Sequence, residues 1–207
     1  MCARPRRVSD EQVFEAALRA MSLLPPSELT LAAIGAEAGM TAGALVQRFG
    51  SKRQLLLTLA RKAAEAGPED AGQMITAHGS PLAALEAYAA CMSGLAASPA
   101  AFQRGLAYLQ QDLADPELQD LLARQTDGMR AALAALAAAA RAAGELRADA
   151  DPDRLARLIE ALVAGGMMSW AYRPKGSASA WVLALLRDLL APYRAGLSPA
   201  VRRRSRN

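Results

Sequence analysis

Between Leu29 and Lys52 the chain reads LTLAAIGAEAGMTAGALVQRFGSK. Thr30 and Thr41 supply hydroxyls there, Gln47 an amide and Arg48 a guanidinium, set among small apolar residues. These groups donate and accept hydrogen bonds and meet anions, the chemistry by which a protein reads base edges and seats itself on phosphates. Catalytic chemistry is missing from the pattern. Glu86, Asp112 and Glu160 are acids that a helical bundle can bring inward, yet no nucleophile–base pair, Gly-rich phosphate loop or carboxylate–histidine metal set accompanies them. The one histidine, His78, lies in the polar run QMITAHGSP and suits a satisfied surface or core position better than a ligand. No cofactor or metal is expected.

Two short helices must position the polar groups. Thr30 caps a helix over about 31 to 37 that Gly39 ends, and Thr41 caps the next, which reaches about Arg48. Gly35 stands where the pair nearly touches, Gly39 accepts a positive φ in the turn, and Ile34, Met40 and Leu45 hold the pair against a third helix. That arrangement is a helix-turn-helix. Its second helix exposes Thr41, Ala42, Gly43, Ala44, Val46, Gln47 and Arg48, and it fits the major groove. The supporting helix begins with a capping box, Ser9 with Gln12, and carries Val13, Ala16, Ala17, Leu18 and Met21 at helical spacing until Pro25-Pro26. Ser51 with Gln54 opens a fourth helix expected to end near Gly67-Pro68.

The Gly-, Pro- and small-residue stretch from Gly67 to Ser80 reads as a boundary between head and body, with helix four as the single covalent strut. Beyond it, Ser80-Pro81, Ser98-Pro99, Asp115-Pro116, Asp151-Pro152 and Ser177 or Ser179 start longer helices. The expectation is an all-α chain of about nine helices: a three-helix DNA-binding head over 8–67, a bundle over 68–200 and a basic, disordered tail over 201–207.

Of the 207 residues 53% are hydrophobic, largely alanine, so core volume must come from Leu, Met and a few aromatics. The first residues, MCARPRRVSDE, lack the apolar centre of a signal peptide, and no long uncharged apolar run follows, which places the protein in the cytoplasm and off the membrane. Cys2 and Cys91 agree with a reducing compartment. Net charge is +4, unevenly spread: residues 1–66 hold nine Arg/Lys against six Asp/Glu, residues 202–207 add four Arg, and the remainder carries −3. A basic front on a mildly acidic body suits a polyanion touched by one part of the molecule.

From about Ser9 to Ala66 the sequence resembles the TetR family of bacterial transcriptional regulators, carried by LTLAAIGAEAGMTAGALVQRFGSKRQLL after an amphipathic first helix. The resemblance implies that Leu31 and Ile34 pack helix two, Gly39 makes the turn, Phe49 anchors the end of the recognition helix and Lys52 meets a phosphate. Three positions depart from the family pattern. Val46 replaces a Tyr and Ala44 a Thr that usually contact the DNA backbone, and Gly35 replaces an Ala. Thr30, Thr41, Gln47 and Arg48 remain as polar contacts, and the arm with Arg4, Arg6 and Arg7 can add phosphate or minor-groove contacts.

The body resembles the family in architecture only. Within ALVAGGMMSWA, Gly165-Gly166 interrupts a helix where glycine is costly unless another backbone comes close, which reads as a dimer seam or as packing inside one chain. Tyr88, Met92, Phe102, Tyr108, Gln111, Met129, Met168 and Trp170, with Met74, are large or adaptable side chains suited to an effector cavity, or to plain core. The functional expectation is a homodimeric repressor released from double-stranded operator DNA by a small, largely apolar molecule. The alternative is a regulator of the same fold that has lost operator binding and acts through protein contacts.

Overall fold

The computed structural model describes residues 8–195, with the side chains of residues 66–75 left out. Arg4, Arg6, Arg7 and the tail over 201–207 lie outside the described residues, and Met74 lies within the stretch without side chains.

The helix starts written in the sequence are used. Helix α1, Asp10–Leu23, carries the complete Ser9–Gln12 capping box, α2, Leu31–Ala38, is capped by the Thr30 hydroxyl, and α3, Ala42–Phe49, by that of Thr41. Gly39 ends α2 with φ 67°, in the left-handed region that favours glycine. Then follow α4 (Lys52–His78), α5 (Pro81–Gly94), α6 (Pro99–Ala114), α7 (Pro116–Ala142), α8 (Pro152–Tyr172), α9 (Ala178–Leu190) and a 3-10 turn, Ala191–Tyr193. Of the two candidate caps for α9, Ser177 is the one that accepts from the backbone, at Ala180 N. No strand is formed among the described residues; Leu146 and Arg194 make one isolated antiparallel bridge.

The expected linker is absent. α4 continues through Gly67-Pro68 to His78, so the Gly/Pro-rich composition there breaks no helix. The chain also divides differently from a simple head followed by a body. One compact unit takes residues 8–65 together with 100–124, and the other takes 66–99 with 125–195. The chain therefore passes between units at three places, within α4, at the start of α6 and within α7, and helix four is not the only covalent strut.

In the first unit the core gathers Val13, Ala17, Ala20, Leu29, Ile34, Leu45, Leu55, Leu56 and Tyr108, and a smaller cluster joins Leu57 to Leu118 and Leu121. In the second, α5, α8 and α9 pack together around Leu85, Leu155, Ile159, Val182 and Leu186, with Leu133 and Leu136 of α7. Glu86 on α5 pairs with Arg187 at 2.8 Å and Arg194 at 3.2 Å, and Arg130 grips Glu160 with two nitrogens at 2.7 and 3.1 Å. No helix among the described residues is long and apolar enough to cross a membrane.

Candidate nucleic-acid interface

Helix α3 is held from behind and left bare in front. Leu45 is fully buried, and Phe49 meets Phe14 of α1 with ring centroids 6.0 Å apart. Those two positions, four residues apart, lie on the same side of a helix and fix its roll. The opposite side carries Gly43, Val46 and Gln47, all exposed, with Ala42 and Ala44 half-buried at its edges. Gly35 sets how closely α2 approaches the turn: a Cβ built there would lie 2.5 Å from the Met40 carbonyl oxygen. Gly35 O in turn accepts from Met40 N at 2.8 Å. The departure from alanine therefore has a steric reason, a turn too tight for a methyl group.

Two helix N-termini open on this unit's surface. The Thr30 oxygen accepts from Ala33 N at 3.1 Å and the Thr41 oxygen from Ala44 N at 3.2 Å, and both residues are exposed. A capping hydroxyl uses a lone pair for the helix and keeps its hydrogen to donate outward, where the positive end of the helix dipole also favours an anion. A Cβ built at Gly43 would meet only Thr41 Oγ1, at 4.0 Å, so packing gives no reason for glycine there. Gly43→Ala is expected to raise stability by about 0.5–1 kcal/mol through helix propensity and to weaken DNA binding, because a methyl group enters the surface that must approach the bases. Thermal melting and a binding titration on one sample would check both signs.

The cations behave differently from expectation. Lys52 Nζ donates to the carbonyls of Leu29 at 2.8 Å and Pro26 at 3.3 Å, tying the start of α4 to the turn before α2. It is half-buried and engaged internally, so a phosphate meets at most its remaining proton. Lys52→Ala is expected to cost about 1–3 kcal/mol of stability, since charged donors bonded to carbonyls lie at the upper end of hydrogen-bond contributions. An unchanged melting temperature with a salt slope lower by about one unit would restore the phosphate role. Arg48 Nη1 donates to the Val8 carbonyl at 2.7 Å, its Nη2 pairs with Asp10, and the guanidinium sits 5.6 Å from the centre of the Phe49 ring.

The same holds across the unit. Arg19 pairs with Glu37 and Glu15, Lys62 with Glu11, Arg53 and Arg61 with Glu117, and Arg124 with Asp120. Arg53 also bonds Asp115 with two nitrogens, at 2.7 and 2.9 Å, and this holds the Asp115 carboxyl below the usual carboxylate range. Arg104 donates to Ser22 O. The ties of Arg53 and Arg104 join partners 62 to 82 positions apart, which leave no local pattern for sequence reasoning to find.

The eight cavity candidates are divided between the two units. Tyr88 is buried in the core of the second unit, with Met92 and Met129 packed against the same cluster. Burial, and then the nearby Glu160 carboxylate, push the Tyr88 hydroxyl pKa up. Trp170 is buried and donates from Nε1 to Gly176 O at 3.2 Å, closing the turn into α9, whereas Met168 faces outward. Phe102, Tyr108 and Gln111 fall in the other unit. Tyr108 packs in the core beside Leu29 and donates to Leu24 O at 2.9 Å, Phe102 is half-buried and Gln111 is exposed. Their size and polarity matched a cavity, but at least Tyr108 is committed to the head.

The glycine pair also divides. A Cβ at Gly166 would lie 3.1 Å from Val182 Cγ2 and 3.3 Å from Leu185 Cδ1, so this glycine serves the α8–α9 contact inside one chain, while Gly165 is exposed with nothing near its Cα.

Among the described residues, no group of His, Cys, Asp and Glu is placed to hold a metal ion. In comparison with known proteins, residues 13–59 match the family described as bacterial regulatory proteins, tetR family, and residues 81–194 match the C-terminal domain of BetI-type transcriptional repressors. No match to a curated protein sequence was found. Among solved structures, the chain is similar to the reduced form of NemR from E. coli, with TM-score 0.71 and 13% identity over 91% of this chain and 99% of that one. It is also similar to SmeT, the repressor of the Stenotrophomonas maltophilia multidrug efflux pump SmeDEF (TM-score 0.60, 22% identity, 91% of each chain). A third similar structure is FadR from Bacillus subtilis in complex with stearoyl-CoA (TM-score 0.63, 18% identity, 86% of this chain and 97% of that one).

Proposed function

The chain belongs to the tetR family of bacterial regulatory proteins, and from that premise we propose that it is a homodimeric, cytoplasmic repressor that binds operator DNA through α3 and is released by a small, largely apolar effector. The observation that carries the reading is the presentation of α3. Its inner side is locked by Leu45 and Phe49, its outer side is bare at Gly43, Val46 and Gln47, and two capping threonines stand at neighbouring helix starts. Gln47 supplies an amide suited to adenine edges, Val46 an apolar contact for thymine methyl groups, and Thr30 and Thr41 donors for phosphates. With Val46 in place of the usual Tyr and Ala44 in place of the usual Thr, discrimination rests on fewer polar contacts.

The exposed side of α8, with Ala161, Ala164, Gly165, Met168 and Tyr172, supports the dimer, since small and apolar residues there let a second copy approach closely. Gly165→Leu is expected to give a folded monomer by light scattering with unchanged helical circular dichroism. A dimer that survives the substitution would remove Gly165 from the interface.

For the effector, the cluster of Tyr88, Met92 and Met129 is the best-supported wall, adaptable and apolar with one hydroxyl. The FadR structure, in complex with stearoyl-CoA, makes a long-chain acyl compound a first class to screen. The test is a titration of the DNA upstream of the protein's own gene, with and without long-chain acyl compounds and apolar drugs. Saturable binding that an effector weakens supports the reading. Since coupling is reciprocal, that effector must also bind more weakly when operator is present, and equal affinities would exclude it as the releasing molecule.

A further inference from the structure

Tyr88, Ser93, Tyr108 and Trp170 are the buried side chains that carry a hydrogen-bonding group among the described residues. Three of those groups are committed: Tyr108 donates to Leu24 O, Trp170 to Gly176 O and Ser93 to Ala89 O. The Tyr88 hydroxyl has no hydrogen-bond partner among the described residues, although Tyr88 is only 7% exposed. Buried tyrosines ordinarily find one. No fully enclosed side-chain oxygen or nitrogen is left unpaired among the described residues, so the Tyr88 oxygen is the accessible tip of an enclosed ring.

The groups around that tip are apolar or already paired. Met92 lies one turn further along α5 and Met129 stands on α7, both packed against the cluster that holds Tyr88. The Glu160 carboxylate on α8 is near enough to act on the hydroxyl, but both its oxygens are taken by Arg130, at 2.7 and 3.1 Å. Arg130 also pairs with Asp127 at 3.3 Å. Burial, then Glu160 and Cys91, push the Tyr88 pKa up, so the hydroxyl stays protonated at neutral pH and is free to donate. An anion arriving here would meet two carboxylates against one guanidinium, and a cation would have to draw Glu160 off the fork. An uncharged oxygen meets neither obstacle.

Resting on the effector reading above, we propose that the Tyr88 hydroxyl is the polar anchor of the effector site and selects an uncharged apolar molecule with a hydrogen-bond-accepting oxygen, the class of ketones, esters and other carbonyl compounds. Met92 and Met129 supply an adaptable wall for the apolar part. The Arg130–Glu160 pair stays closed and turns away ions of either sign.

The test compares four probes of similar size on the full chain by calorimetry: acetophenone, isopropylbenzene, benzoate and benzylammonium. Acetophenone should bind tightest. Tyr88→Phe should weaken it roughly 3- to 10-fold, the worth of one neutral hydrogen bond, and leave isopropylbenzene unchanged. Because the hydroxyl has no partner to lose, Tyr88→Phe should also leave the melting temperature of the free chain where it is. Tyr108→Phe, which gives up its bond to Leu24 O, should lower it. The proposal is overturned if benzoate or benzylammonium binds tighter than acetophenone, or if Tyr88→Phe weakens the ketone and the hydrocarbon alike. It is equally overturned if Tyr88→Phe destabilises the free chain as Tyr108→Phe does, or if no probe binds at millimolar concentration. Operator titrations on the same samples separate this proposal from the functional reading. DNA binding that benzoate or benzylammonium weakens and acetophenone does not would keep the functional reading and defeat the proposal, whereas a chain that binds acetophenone through Tyr88 and binds no DNA would defeat the functional reading alone.

Discussion

Gly35→Ala is expected to destabilise the first unit and to abolish specific DNA binding, although alanine is the better helix former. The gain in helix propensity is at most about 1 kcal/mol. Against it stands a Cβ 2.5 Å from the Met40 carbonyl oxygen, a backbone atom that cannot rotate away, with Met40 C at 3.4 Å and Ala42 N at 3.5 Å. The turn has little freedom to yield, because Met40 N already donates to Gly35 O and Gly39 sits at φ 67°. Overpacking of this kind costs about 1–3 kcal/mol, often with a backbone shift. A shift here moves the start of α3, so Thr41 and Gln47 leave their positions together. Melting temperature should fall by roughly 2–4 °C for each kcal/mol in a chain of this length, and operator affinity should approach the non-specific level. A Gly35→Ala variant that melted higher and bound as before would mean that the turn relaxes freely and that Gly35 has no steric role.

Gly166→Leu is expected to have a comparable effect on the second unit. At this position a methyl group is already tight, 3.1 Å from Val182 Cγ2 and 3.3 Å from Leu185 Cδ1, and Val182 is fully buried. Alanine sets a displacement of a few tenths of an ångström against the helix gain and should be close to neutral. Leucine adds three further carbons where α8 and α9 pack, and the cost of 1–3 kcal/mol or more for overpacking exceeds the propensity gain of about 1 kcal/mol. The neighbour supplies the control. Gly165→Leu meets open space in the single chain and should leave the monomer fold at least as stable while breaking the dimer. If the two substitutions exchanged their effects, with Gly166→Leu affecting only association, the intrachain role assigned to Gly166 would be incorrect.

The parts of this fold that local rules determine were legible. Ser9, Thr30, Thr41, Ser80, Asp151 and Ser177 each start a helix by offering an oxygen to a backbone N–H within three residues, so the signal and its effect lie in the same short stretch. Gly39 was legible for the same reason. The continuation of α4 past Gly67-Pro68 was not, because composition there suggested a break that the chain does not make. The candidate interface divided along the same line. Exposure of Gly43, Val46 and Gln47 follows from helical periodicity with Leu45 inside, whereas the engagement of Lys52 with Pro26 and Leu29, and of Arg48 with Val8 and Asp10, depends on partners 23 to 40 positions away. Family resemblance assigned Lys52 to phosphate. Residue type alone placed Tyr108 in a cavity, yet its hydroxyl is bonded to Leu24 O and its ring fills the core of the head. Long-range hydrogen bonds are set by the assembled fold and have no period to detect.

Selection of bound sequences from a pool of random duplex DNA by the purified full chain tests the central claim most directly. The expected result is a near-palindromic consensus whose half-sites lie about 34–36 Å apart or a multiple of that spacing, with Gln47→Ala relaxing preference at one symmetric pair of positions and leaving the rest of the consensus intact. A pool that emerges without a consensus, or with one that Gln47→Ala and Gly165→Leu both leave unchanged, would contradict sequence reading by α3 in a symmetric dimer.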